Sequence, residues 1–321
     1  MKNKTILIIS WITFLGACGE ENPNKNINNM QPQRPVGVSL ESEYLLLHIN
    51  WNDRQERSYT YDDLYSDFNI KDNWFEGIDQ ERAEIMEEDE LKTVSNRFLR
   101  VHYPENEFGP ENSGISFRAW LPKLSTTNTT CVSFRARFKN DFVFSGMGKL
   151  GPGLAAGYDA TGGNRSDGYS GFTSRLEWQT HNNSGIGAGR LAALVYNYNP
   201  DIESPPSLKY YSKMADGSDY IMDNNRWYLL EQCIKQNTFD EQGNAQPDGE
   251  IDVYVDGKHL VHKDQLVFRL TPQLVVDQLL FTTFFGGASL EYAADRDEYI
   301  DYADIYVTSQ SISTGSENDA I

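Results

Sequence analysis

From about residue 38 to residue 308, apolar and polar residues alternate in short runs separated by turn-forming clusters. Ten runs read as strands: residues 43–51, 98–104, 115–121, 131–138, 172–178, 191–198, 226–235, 250–257, 277–286 and 298–308. Alternation of period two sends one set of side chains to a core and the other set outward. The segments GPENSG, NTT, GPG, TGGN, NNSG, DEQG and VDGK supply the turns. Regular short strands without amphipathic helices predict an all-β domain, a β-sandwich or jelly roll. Residues 79–92 favour helix by propensity, with a short edge strand as the competing reading. No internal repeat or linker divides this domain, expected at 38–308, and residues 309–321 read as a frayed tail.

Ahead of the domain, Lys2 and Lys4 precede an apolar run over residues 5–16. That run is short of the ~20 residues that span a bilayer. Leu15-Gly16-Ala17-Cys18 closes it with small residues before a cysteine, the pattern of a bacterial lipoprotein signal. Residues 1–17 are therefore expected to be removed and Cys18 acylated, with the acyl chains holding the protein on a membrane. Residues 18–37 are polar, Asn-rich and proline-bounded, the composition of a flexible tether. The expected location is the outer membrane, facing the periplasm or the cell surface.

Charge changes the picture less than it first suggests. The chain carries 47 Asp+Glu against 28 Lys+Arg, a net −19, and its 12% aromatic content sets it apart from disordered acidic proteins. Such a surface argues against nucleic acid as a partner. It does not exclude every polyanion, because net charge governs long-range association while a local cationic groove governs binding. The two cysteines left after Cys18, Cys131 and Cys233, sit in strand-like runs. Alternation reads them as buried thiols, and an exported chain also permits a disulfide between them.

Several motifs carry less than they promise. Residues Gly146 to Gly151 match G-x-G-x-x-G, but the glycine-rich loop that follows is unable to open the helix a dinucleotide site needs. Residues 240–250 resemble a calcium loop without its glycine and glutamate spacing, and read as a hairpin turn. His48, His102, His259 and His262 have no triad or zinc spacing and are read as structural. No metal or organic cofactor is expected.

The chemistry concentrates between residues 145 and 198. In GFTSRLEW, Thr173, Arg175 and Glu177 share one strand face, while Phe172, Ser174, Leu176 and Trp178 share the other. Tyr196 and Tyr198 share a face of the next run, and Lys149 stands at a strand end before the glycine-rich loop. Pairing of these strands would gather a lysine, an arginine, a hydroxyl and two phenols on one sheet face.

These segments resemble polysaccharide lyase family 14, which includes alginate and glucuronan lyases. The resemblance rests on Gly148-Lys149-Leu150 with Pro152-Gly153-Leu154, on Gly171 to Trp178, and on Tyr196 and Tyr198. It extends to LRVHYPENEFGPENSG, RWYLLEQCIKQNT, DGEIDVYVDGK and TTFFGG, covering roughly residues 58–308. It implies a concanavalin A-like jelly roll whose concave sheet is the substrate cleft, an acidic polysaccharide as partner, and Lys149, Arg175, Tyr196 and Tyr198 as active-site residues. Where the family has serine two residues before the arginine, this chain has Thr173, which keeps the hydroxyl and adds a methyl.

The chemistry of a uronate lyase fits those residue types. Removing the C5 proton α to a carboxylate requires that the carboxylate charge be neutralised, a task for Lys149, Arg175 or both. A base must take the proton and an acid must serve the leaving O4, and a phenol beside cations suits either role. Tyr198 is assigned to proton transfer, with His181 as the alternative base. Arg118, Arg135 and Arg137 are assigned to the binding groove, if their sheet face is the concave one. The reading therefore predicts one positive cleft holding Lys149, Arg175 and some of these three arginines. A monomer is expected.

Overall fold

The computed structural model describes residues 44–88, 96–121, 128–139, 141–158, 160–181, 188–201, 207–287 and 289–313, all within the unit 31–321. The expected signal segment, the tether with Cys18, and residues 314–321 lie outside the described residues. In chain order the first strands are β1 (Leu45–Ile49), β2 (Arg57–Ser58), β3 (Ile70–Glu76), β4 (Ala83–Glu87), β5 (Arg97–Tyr103) and β6 (Ile115–Trp120). Then come β7 (Thr129–Phe138), β8 (Met147–Lys149), β9 (Pro152–Gly157), β10 (Gly171–Thr180), β11 (Ala188–Tyr196) and β12 (Leu208–Tyr211). The last are β13 (Ile221–Asp223), β14 (Trp227–Lys235), β15 (Gly249–Val255), β16 (Lys258–Leu266), β17 (Gln278–Phe285) and β18 (Glu298–Thr308). Among the described residues, helix is confined to Tyr61–Asp67, Gly109–Asn112 and one 3₁₀ turn at Leu290–Tyr292.

The strands form two antiparallel nine-stranded sheets, a jelly roll. The first runs β16-β15-β14-β7-β18-β5-β4-β2, with β1 added on β18. The second runs β12-β11-β10-β8-β17-β6-β3, with β13 on β11 and with β9 filling the row between β10 and β17 beyond the end of β8. Alternation explains the core between them. Phe134, Ala136 and Phe138 of β7 face Phe172, Leu176 and Trp178 of β10 and Phe281 and Phe285 of β17, all fully or almost fully buried. Trp178 packs edge-on to Phe285, Phe142 and Phe138 at 5.2, 5.7 and 6.2 Å. A Cβ at position 148 would fall 1.9 Å from the Trp178 ring, so β8 crosses this indole only as glycine. The motif that imitates a dinucleotide loop is thus a packing contact.

Four expectations are corrected. Residues 83–87 form a strand, because Ala83 and Ile85 are buried while Glu84 between them is exposed, and alternation overrides helix propensity. The glycine-rich segment after Lys149 is not loop throughout, since Pro152–Gly157 pairs with both β10 and β17. Cys131 and Cys233 stand directly opposite each other on β7 and β14 and are joined as a disulfide. Residues 309–313 do not fray: the buried Glu231 carboxylate accepts from the Ser311 hydroxyl at 2.9 Å and from the backbone N–H groups of Ile312 and Ser313 at 2.8 and 3.1 Å.

Candidate functional site

The outer face of the second sheet collects the ionisable side chains. Register places them row by row. Arg175 lies opposite Leu194, Glu177 opposite Ala192 on one side and Lys149 on the other, and Thr173 opposite Tyr196. Arg118 reaches the same face from β6, through Leu280 of β17. Segment 160–170 closes one end: Ala160 packs on Leu194 and Tyr196, and its carbonyl accepts from the Thr173 hydroxyl at 2.7 Å.

Arg175 is the centre of this face. Its side chain is 3% exposed, its Nη1 lies 3.3 Å from Thr282 Oγ1, and its guanidinium sits 5.8 Å from the centre of the Tyr196 ring. It can lie so low because β9 is bare beneath it. A Cβ at position 153 would come within 2.6 Å of Arg175 Cγ, which explains glycine there. Burial lowers the affinity of Arg175 for its proton, Tyr196 and Glu177 oppose that, and Arg118 adds to it. Arginine holds its charge regardless, so the guanidinium is a fixed, poorly hydrated cation beside a phenol. Its Nε has no hydrogen-bond partner.

Lys149 stands one row away. Its Nζ donates to Glu177 Oε2 at 2.9 Å, and the other oxygen of that carboxylate lies 2.7 Å from Lys209 Nζ and 2.6 Å from Gln179 Nε2. Burial pulls the Lys149 ammonium below the usual lysine range, Glu177 opposes this, and Arg175 and Lys209 reinforce it. Burial alone would push the Glu177 carboxyl up, but the two lysines win and hold it below the usual range.

A second cationic cluster lies toward the β6 side. Arg118 stacks 5.0 Å from the Trp74 ring and stands 3.8 Å from Asp72. Lys71 donates to the Gly157 carbonyl at 2.9 Å and lies over the rings of Tyr158 and Trp120 at 3.5 and 4.8 Å. Burial, then the charge of Arg118, brings its pKa down to about 8. At the opposite end, Arg190 covers the Tyr211 ring at 4.8 Å, and Tyr211 donates to Gln179 Oε1 at 2.8 Å.

The structure therefore brings together Lys149, Thr173, Arg175, Tyr196 and Arg118. It places the others elsewhere. Tyr198 lies two residues past the end of β11, half-buried, with its ring near Gly168. His181 is exposed just past β10 and acts on Asp219, which pairs with Lys213 and Arg190. Arg135 and Arg137 are overturned as groove residues. Both belong to β7 in the other sheet and point out from its far face, where Arg135 pairs with Asp304 at 3.1 Å and Arg137 with Asp301 and Glu88 at 2.8 and 2.6 Å. Alternation identified their non-core face, and both sheets have one.

Sequence reasoning missed Lys71, Arg190, Lys209 and Tyr211. Lys209 and Tyr211 alternate within LKYY, a run too short to stand out as a strand. Lys71 sits in a strand whose register is broken between Ile70 and Phe75, which hides its face.

A sheet face with buried cations, a phenol among them and aromatic rings along its length suits a chain of acidic sugars. The family model for polysaccharide lyase 14 matches residues 92–305, more than half of the sequence, and the protein belongs to that family. Its fold is similar to that of the alginate lyase Aly36B, at 21% identity and a TM-score of 0.65, over 83% of this chain and 97% of the other. The marine PL-14 alginate lyase from Aplysia kurodai superposes with a TM-score of 0.59 at 23% identity, over 82% and 98% of the two chains. The alginate lyase vAL-1 from Chlorella virus gives 0.54 at 21% identity, over 71% and 88%. No curated protein sequence matches the chain.

Proposed function

We propose that the protein depolymerises an acidic polyuronate, alginate foremost, by β-elimination. Arg175 and Lys149, with Arg118 beside them, neutralise the carboxylate of the sugar to be cut, which makes its C5 proton removable. The Tyr196 phenolate takes that proton. The electron pair forms the C4–C5 double bond, the C4–O4 bond breaks, and the departing O4 takes a proton, supplied by the same phenol when both lie on one face of the ring. The observation that carries this reading is the Arg175–Tyr196 pair, a buried guanidinium 5.8 Å from a phenol ring in a face otherwise lined by Lys149 and Arg118. Proton transfer is given to Tyr196 in preference to Tyr198, a choice supported by the Arg175 guanidinium beside its ring. The binding of alginate trisaccharide and tetrasaccharide by the structurally similar Aly36B supports the substrate class. The reaction needs no metal or organic cofactor.

The protein is further proposed to work as a monomer outside the cytoplasm, held to the outer membrane through acylated Cys18. The Cys131–Cys233 disulfide supports an oxidising compartment. The activity test is direct: incubate the purified protein with alginate, polymannuronate, polyguluronate and glucuronan, and follow the ultraviolet absorbance of the unsaturated product. Release from alginate or either of its block polymers is expected. Retained binding with no product on any of the four would make this a carbohydrate-binding protein instead.

A further inference from the structure

Asp252, His259 and His262 converge on the outer face of the first sheet, at its β15–β16 edge, in the sheet opposite the one that bears the cleft. Asp252 Oδ1 lies 2.7 Å from His259 Nε2 and 2.8 Å from His262 Nδ1, and all three ligand atoms fall within 4.8 Å of one another. Histidines three residues apart in a regular strand point to opposite faces. Here a bulge brings them together: Val253 pairs with Val261 and Tyr254 with His259, leaving Leu260 as the extra residue. Leu260 and Val261 both turn to the core, and both imidazoles turn outward beside Asp252. The sequence spacing hid this set because its carboxylate comes from the neighbouring strand.

We infer that these three side chains form a surface site for a divalent transition-metal ion of the zinc, nickel or copper class. Two imidazole nitrogens and one carboxylate oxygen are ligands of that class. Around an ion at ~2.0–2.2 Å from each, ligand atoms stand roughly 3–3.5 Å apart, so a small opening of the present O···N contacts admits it. The imidazoles are 45% and 49% exposed, which leaves an entry path and room for water as further ligands. His259 is oriented by stacking on Tyr254 at 4.6 Å. Glu250 and Asp264 also stand near His262, each paired with a lysine, Lys235 and Lys263. A bound ion would clamp β16, the edge strand of its sheet, to β15.

The test uses the full chain after chelator treatment, titrated with Zn²⁺ by calorimetry and with Co²⁺ by its visible spectrum. One bound equivalent is expected in the wild type. His259→Ala and His262→Gln, both at exposed positions, should each weaken it by at least ~10-fold, as loss of a ligand must exceed loss of an outer partner. Sugar-cleaving activity, where measured, should not change. Absence of binding to the wild type, or unchanged affinity in both histidine variants, overturns the site.

Discussion

Glu177 is the one carboxylate buried in the middle of the cationic face among the described residues, and Lys149 holds it at 2.9 Å. Around them stand Lys209, Arg175 and Gln179. Glu177 thus lets several cations share a dry face that would otherwise repel itself. It also keeps Lys149 charged, because without it burial and the neighbouring cations all drive the ammonium toward its neutral form.

Glu177→Gln should therefore shift the alkaline limb of the pH–rate profile to lower pH, since Lys149 would lose its proton sooner. The variant should also lose about 3 kcal/mol of stability, as expected when one partner of a buried pair is removed. A pH–rate profile and denaturant midpoints measure the two effects separately. An unmoved alkaline limb would detach Lys149 charge from turnover.

Tyr196→Phe removes one hydroxyl from a residue 7% exposed and packed on Ala160 and Leu194. The fold should be retained while turnover falls by roughly 10²–10⁴, the usual worth of a positioned acid or base. Tyr198→Phe, past the end of β11, should cost much less. A larger loss in Tyr198→Phe would reverse the assignment, and equal losses would remove its basis.

Lys71 gives a pH-dependent handle on binding. With a pKa of about 8 it is charged at neutral pH and attracts a sugar carboxylate, and it turns neutral as pH rises past that value. KM for a polyuronate should rise through this range, and Lys71→Met should raise KM at neutral pH and flatten the dependence. The sign for stability is opposite. The folded pKa lies below the unfolded one, so the folded state is penalised while Lys71 is charged and gains stability as pH rises above about 8.

Arg135 tests the division between the two sheets. Its side chain and that of Asp304 are 1% and 0% exposed, so Arg135→Met leaves a buried carboxylate short of its main cation and should cost about 3–5 kcal/mol. KM and kcat, measured on the folded fraction, should stay at wild-type values. A rise in KM would return Arg135 to the substrate.

The strands were legible wherever alternation ran for five or more residues with bulky apolar members, and all ten such runs are strands. The missed strands show why alternation has limits. Pro152–Gly157 offers no β-branched residue, and its bareness is what lets Arg175 lie flat against it. The shared face of Lys149, Arg175 and Tyr196, on neighbouring rows, followed from strand parity together with the family resemblance. Arg135 and Arg137 failed because parity tells inside from outside but not which of two sheets a strand joins. The convergence of His259 and His262 escaped the sequence pattern for a related reason: one extra residue in an edge strand turns two opposed side chains to the same face.

The last described residues have a role that strand pairing does not convey. Glu231 lies within 4.8 Å of the paired Cys131 and Cys233 sulfurs, and residues 311–313 are fastened onto its carboxylate. Reduction of a disulfide starts with attack by a thiolate, itself an anion that needs a clear line to sulfur. Residues 311–313 thus cap the carboxylate beside a bond whose two cysteines are already buried, and burial is what denies a thiolate its line to the sulfur.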